Sequence, residues 1–380
     1  MHANEFDLLV IGEGLAGICA AAAAARSGMR IMLASKGPGN FVLGTACVDL
    51  DGITSGEPAA LDCSPRRLEE GLASFVDLCA AAGCAYDGGI LEQRLIPTVM
   101  GTFQTASFAP RSLWNGDPRT VAKVAVVGID NLSAFDADFV AERLYFHTQQ
   151  KGLSTSYRSA NIRLQDVRRP LTTVDVATHW DRDPAYRTGL VDSLRNAVRD
   201  AEVLLLPGIL GVKSSDHDFR ELEETIGCAI CELPTMPPSV PGLRLLHHLE
   251  DHLIGLGVEL CTGFAVQRLC LDGDRCIGVE LNTPGRPRTI RAGSVVLASG
   301  CFSNLLESCE LGAPHSRETM QVDHEFHPLN SKGEVVANNL FVCGSGLGSG
   351  EPRHGNAVAI ITGYQAAMIA SQTGVEYAAR

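Results

Sequence analysis

Three glycines near the start of the chain, Gly12, Gly14 and Gly17, stand in the spacing G-x-G-x-x-G. That spacing suits the holding of a phosphate. Gly12 permits a sharp turn, Gly14 lets the backbone approach an anion, and Gly17 lets a helix pack close on a sheet. Glu13, Leu15 and Ala16 fill the positions between them, and the free N–H groups at the helix start favour negative charge there. The motif needs a strand before it and a helix after it. Leu8–Ile11 is a short apolar run, and the alanine-rich segment ending near Arg26-Ser27-Gly28 reads as the helix. A dinucleotide- or flavin-binding fold is the expectation.

Other positions could complete such a site. Met29–Ser35 reads as a second buried strand, whose end in NAD- and FAD-binding proteins usually carries an acid for the ribose hydroxyls. Here the residues are Ser35 and Lys36. Either the adenosine half is held differently, or the cofactor has no adenosine, as in FMN. Lys36 could pair with a phosphate or stand solvated. Gly44 and Thr45 belong to a small-residue stretch that could lie against a flat ring or simply lead into a strand. Thr289–Leu297 is expected as a buried strand ending in Ala298, Ser299 and Gly300, small enough for backbone to approach a cofactor. The segment 339–345 runs as a strand into Gly344 and Ser345, with glycines to Gly350 after it. Gly355, Asn356 and Ala357 open a final helix to about Gln372, whose positive end could face a reduced flavin ring.

Candidates for other chemistry are fewer. Cys228 and Cys231 form a C-x-x-C, but strand periodicity puts them on opposite faces and no second close pair supports a metal site. His248 and His252 are four apart on a helix without a third ligand. Arg244 lies in the first turn of that helix, as a surface arginine or as a ligand for phosphate or carboxylate. His354, just before the final helix, is the candidate acid–base residue, with Arg353 beside it; His315, His324 and His327 are scattered.

The chain has 380 residues, 45% apolar and 20% charged, with a formal net charge of −13. Such acidity argues against nucleic acid and anionic lipid as partners. Thirteen cysteines without framework spacing read as reduced intracellular thiols. The first apolar run is interrupted by Glu13 and preceded by acidic residues, unlike an export signal. No run approaches the ~20 apolar residues of a membrane span. A cytoplasmic protein is expected, reaching a membrane only through a partner.

Along the chain, a helix is expected within 56–92, with Leu68, Leu72, Phe75 and Leu78 on one face. Extended chain is expected over 101–110, strands at 123–129, 153–167 and 202–207, and helices at 134–149 and 184–199. Another helix should start at Pro241, and a hairpin should turn at Gly273-Asp274. Alternating strands and helices suggest an α/β cap inserted between two halves of a first domain. The expected boundaries are 1–115 for the N-terminal part of the flavin-binding domain, 116–238 for the cap, and 239–380 for the C-terminal part.

The glycine motif, the VVLASG strand end and the C-terminal FVCGS together resemble the two-domain flavoproteins. These have a Rossmann-like, glutathione-reductase-type flavin domain with an inserted α/β cap. FDLLVIGEGLAGICAA, KVAVVGIDNLSAFDADFVAERL and LPTMPPSVPGLRL narrow the resemblance to the B subunits of anaerobic glycerol-3-phosphate dehydrogenases. It implies FMN, with FAD as the alternative. It also implies an FAD-containing catalytic subunit that oxidises glycerol 3-phosphate to dihydroxyacetone phosphate, and an iron–sulfur subunit at the inner membrane that passes electrons to the quinone pool. Where the flavoprotein C-terminal motif ends Gly-Asp, this chain has Gly344-Ser345. A self-sufficient FAD-dependent dehydrogenase and a cofactor-free scaffold subunit are the rival readings.

Overall fold

A computed structural model describes residues 5–53, 65–132, 135–163, 170–234, 237–300, 320–347 and 352–378. The first elements are β1 (Glu5–Glu13), α1 (Leu15–Ala25), β2 (Ile31–Pro38), α2 (Pro65–Ala82), β3 (Tyr86–Gly88), β4 (Arg94–Pro97), β5 (Phe103–Ala106) and β6 (Phe108–Pro110). Then come α3 (Arg111–Trp114), β7 (Lys123–Ile129), α4 (Ala137–Gln150), β8 (Ser156–Ile162), α5 (Thr173–Arg182), α6 (Pro184–Val198), β9 (Val203–Pro207), α7 (Asp216–Ile226) and β10 (Ala229–Leu233). The last are α8 (Val240–Gly255), β11 (Glu259–Thr262), β12 (Val266–Asp272), β13 (Arg275–Leu281), β14 (Arg288–Leu297), β15 (Leu340–Val342) and α9 (Gly355–Ala378). His315, Thr235-Met236 and the glycines 348–350 lie outside the described residues.

Two compact units divide the chain: residues 1–40, 50–78 and 249–380 in the first, 41–49 and 79–248 in the second. The divisions fall within α2 and α8 rather than in linkers, and so differ from the boundaries expected at 115/116 and 238/239. A helix presents no composition shift where one unit hands over to the other, and residues 41–49 join the second unit only through tertiary contacts.

The first unit is built on a sheet ordered β11-β2-β1-β14-β13-β12, with β15 pairing on β14. Strands β1, β2, β11, β14 and β15 are parallel neighbours; the hairpin β12–β13 runs back antiparallel onto β14. Leu8, Leu9, Val10 and Ile11 are all buried, as a central parallel strand covered on both faces requires. Leu9, Ile11, Met32, Val295, Leu297 and Leu340 share one core. On α1 every residue from Leu15 to Ala24 is buried. Its alanines allow a close approach to α9, where a Cβ on Gly363 would sit 2.2 Å from the Ala16 carbonyl oxygen.

The second unit has an all-parallel sheet ordered β10-β9-β7-β8. Successive residues of β7 alternate between two cores. Val124 and Val126 meet Val140 and Leu144 of α4 on one face. Ala125 and Val127 meet Trp180, Leu190, Leu194 and Phe219 on the other. Two short antiparallel ribbons, β3–β6 and β4–β5, belong to the same unit. Among the described residues, no helix is long and apolar enough to cross a membrane.

Candidate functional site

The glycine turn lies between β1 and α1, at the C-terminal end of the parallel strands. Gly12 adopts φ +111°, and a Cβ there would lie 2.4 Å from the Ala298 carbonyl oxygen, so both backbone conformation and space demand glycine. A Cβ on Gly17 would fall 1.9 Å from the Gly12 carbonyl oxygen, which is the close helix–strand packing expected of the third glycine. Gly14 differs: nothing stands within 4 Å of where its Cβ would be. It is the N-cap of α1 and offers no side-chain cap. The first N–H groups of the helix have no side-chain cap, and such a helix start can receive an anion.

The other expected cradle residues of this unit gather at the same strand ends. Ala298 follows β14 and donates its N–H to Ile11 at 2.8 Å. Gly300 has φ +77°, and a Cβ on it would lie 3.5 Å from Ser345 Oγ. Ser345 itself is exposed. Gly344 donates its N–H to Thr362 Oγ1 at 2.9 Å, which ties the loop after β15 to α9. At the start of α9, Ala357 is fully buried, and Gly355 and Asn356 occupy its first turn. Gly44 and Thr45 belong instead to the second unit; Thr45 Oγ1 accepts the Cys47 N–H at 3.3 Å.

Ser35 is 3% exposed and Lys36 is solvent-exposed. The Ser35 hydroxyl donates to Glu13 Oε2 at 2.8 Å. Glu13 is itself only 4% exposed, and its Oε1 has no donor among the described residues. Glu250 on α8 shares this environment. Partial burial and then the neighbouring Glu13 carboxyl push Glu250 up from the ordinary 4.5 to about 7. Sequence pattern singled out Glu13 only as a motif position and did not find Glu250, which lies on a helix far along the chain.

His354 and Arg353 stand just ahead of α9. His354 is 5% exposed, and its Nε2 bonds to the Asp51 carbonyl oxygen. With a carbonyl as partner, Nε2 carries the hydrogen of that bond. Arg353 Nη1 pairs with Asp51 Oδ2 at 3.1 Å. Gly52, at φ +92°, brings this turn against the imidazole. Asp51 was the partner that sequence spacing had no means to indicate.

Arg244 has a different setting. It is 5% exposed and forks onto Glu232, with Nη1 to Oε2 at 2.6 Å and Nη2 to Oε1 at 3.1 Å. Its Nε donates to the Gly211 carbonyl oxygen at 2.8 Å. Glu232, fully buried in β10, also accepts the N–H groups of Ile209 and Leu210 at 3.0 Å each. The carboxylate that Arg244 reaches is thus one of its own chain. Arg244 borders a small, open cleft with Tyr86, Arg111, Ser112 and Phe219, and there Arg111 is paired with Asp87 at 3.1 Å.

The cysteine pair is separated as strand periodicity requires. Cys231 donates to the Leu113 carbonyl oxygen and Cys228 to that of Ala201, both at 3.3 Å. Burial pushes the Cys228 thiol up to about 11 and the Cys231 thiol further. No group of three or more metal-ligating side chains occurs among the described residues. His248 instead bonds through Nε2 to the Ser214 carbonyl oxygen at 3.0 Å.

A parallel sheet with a glycine turn, an uncapped helix start and a second glycine loop at its strand ends is the frame of an FAD-binding, Rossmann-like flavoprotein. Residues 7–52 and 171–325, more than half of the chain, match the FAD binding domain family, and the chain belongs to it. Over 97% of its length it is similar to the anaerobic glycerol-3-phosphate dehydrogenase B subunit of Yersinia pestis, at 28% identity and covering 98% of that protein. It is similar over the same share to the probable anaerobic glycerol-3-phosphate dehydrogenase B subunit of Halobacterium salinarum, at 27% identity and covering 99% of it. Among solved structures it is similar to THI4 of Thermovibrio ammonificans, at 9% identity and a TM-score of 0.38, over 99% of this chain and 91% of that one.

Proposed function

We propose that this protein is the flavin-carrying B subunit of a quinone-linked anaerobic glycerol-3-phosphate dehydrogenase. It would take electrons from an FAD-containing catalytic subunit and hand them to an iron–sulfur subunit at the inner membrane. The observation that carries the reading is the cradle itself. A glycine turn in which Gly14 carries no side chain, an uncapped start of α1 and an incompletely bonded buried carboxyl at Glu13 fit a phosphate and sugar together. Near full-length similarity to B subunits supplies the assembly.

Within the cradle, the N–H groups of Leu15 and Ala16 would hold phosphate, and Ala298–Gly300 with Gly344 and Ser345 would let backbone lie close to the cofactor. A bound flavin supplies reversible transfer of one or two electrons. The protein's share is to exclude water and orient, with the N-terminus of α9 favouring negative charge. His354, just ahead of α9, would be the candidate group for holding or moving a proton.

The resemblance to B subunits implies FMN, and the missing ribose acid at Ser35 agrees with it. The FAD-binding family match over 7–52 favours FAD, and FAD is the cofactor proposed here. An absorbance spectrum of the purified chain, with chromatography of the released flavin, tests the reading. A yellow protein releasing FAD, reduced by its partner subunit rather than by free glycerol 3-phosphate, is expected. Reduction by the substrate alone would establish a self-sufficient dehydrogenase; a colourless protein that takes up no flavin would establish a scaffold.

A further inference from the structure

Resting on the reading of this cradle as a dinucleotide site, we infer that Glu13, oriented by Ser35, accepts a hydrogen bond from a hydroxyl of the cofactor's adenosine ribose. It takes the place of the acid missing from β2. The ribose carboxylate of such folds comes from the end of the second strand, about 20 residues beyond the glycine turn. Ser35 stands there, and instead of leaving a gap its hydroxyl holds the Glu13 carboxyl at 2.8 Å. The turn thus supplies an acid bonded to the side chain that stands where the strand's acid would be.

The turn is rigid enough to hold it. Glu13 is the last residue of β1, opposite Pro38 of β2, and its carbonyl oxygen accepts the Gly39 N–H at 3.0 Å. A Cβ on Gly39 would lie 2.4 Å from Gly14 Cα, so the segment after β2 lies directly on the motif. Burying a carboxyl with one oxygen lacking a donor is unfavourable, and a purely structural bond to Ser35 would be met by a glutamine. A ligand hydroxyl removes that deficit.

The same chemistry, a sugar hydroxyl on a carboxylate, could come from the ribityl chain of the flavin half, and the ligands chosen separate the two. The full-length chain is stripped of flavin and titrated calorimetrically with ADP, 2′-deoxy-ADP and FMN. Wild type is expected to bind ADP more tightly than 2′-deoxy-ADP. Glu13→Gln should weaken ADP binding by about 10- to 100-fold, as for loss of a hydrogen bond to a charged group. It should also bring ADP and 2′-deoxy-ADP to similar affinity while leaving FMN unchanged. Ser35→Ala, which removes only the orienting hydroxyl, should act in the same direction by a smaller factor, and circular dichroism establishes that each variant is folded. ADP binding and discrimination that survive Glu13→Gln in a folded variant would overturn the inference and leave the flavin reading standing. So would wild type binding FMN but not ADP, or Glu13→Gln weakening FMN alone. Wild type binding neither ligand would overturn both.

Discussion

Glu250→Gln is the substitution whose effect the structure determines most fully, because its sign depends on pH. Glu250 holds its proton up to about pH 7 in the folded protein, against an ordinary value of 4.5, through partial burial and the Glu13 carboxyl. The folded state therefore binds this proton more tightly than the unfolded state. The resulting stability is fully present below about pH 4.5 and is lost as pH rises through about 7. A rise of that size corresponds to roughly 3 kcal/mol at most, and Glu250 is half-buried, so solvent screening reduces this to about 1–2 kcal/mol. Glutamine retains a donor for Glu13 at every pH and carries no charge. The variant should thus be more stable than wild type by about 1–2 kcal/mol near pH 8, and should show no such gain near pH 4.5. Urea denaturation of both proteins at the two pH values, followed by amide exchange in β1 and α1, measures the difference. An equal stability difference at both pH values, or a loss at pH 8, would refute the coupled pair.

Other outcomes follow from single contacts. Glu232→Ala leaves Arg244 buried without its counter-charge and the Ile209 and Leu210 N–H groups without an acceptor. It should cost about 3–5 kcal/mol in urea denaturation, and Arg244→Met in the same chain should recover part of that. Gly12→Ala forces a Cβ to within 2.4 Å of the Ala298 carbonyl oxygen at φ +111°; the ratio of flavin to protein absorbance should fall at least tenfold, with the strain costing on the order of 1–3 kcal/mol. In native protein at neutral pH, Cys228 and Cys231 should resist iodoacetamide because burial keeps both thiols protonated. Among the described cysteines, part-exposed Cys84 and Cys270 should label before Cys228 and Cys231, as read by peptide mass spectrometry, and full labelling of Cys231 before unfolding would contradict its burial.

Local pattern made much of the fold legible. An apolar run, three glycines and an alanine helix specify β1, the turn and α1 because each property acts within a few residues. The same holds for β7 and β9, whose continuous apolar runs mark strands covered on both faces, and for α6, which starts on its own proline at position 184. Boundaries were less legible. Strand β8 starts at Ser156 rather than at 153, with residues 164–167 of the expected stretch outside the described residues, and α4 leaves Phe139 and Phe146 exposed although both count as apolar in its pattern. The division between units eluded sequence reading because α2 and α8 each continue across it.

What the sequence alone determined is the phosphate cradle: its chemistry is backbone chemistry, and glycine spacing controls backbone directly. It also showed that the customary ribose acid is absent at Ser35. Tertiary structure decided what stands in that place. Ser35 and Glu13 are 22 positions apart and Glu250 is much further, yet parallel pairing of β1 with β2 and the packing of α8 bring the three polar groups together in a low-dielectric environment. Burial and charge proximity have no local sequence period, so neither the Glu13–Glu250 pair nor the capture of Arg244 by Glu232 could be read before the chain was folded.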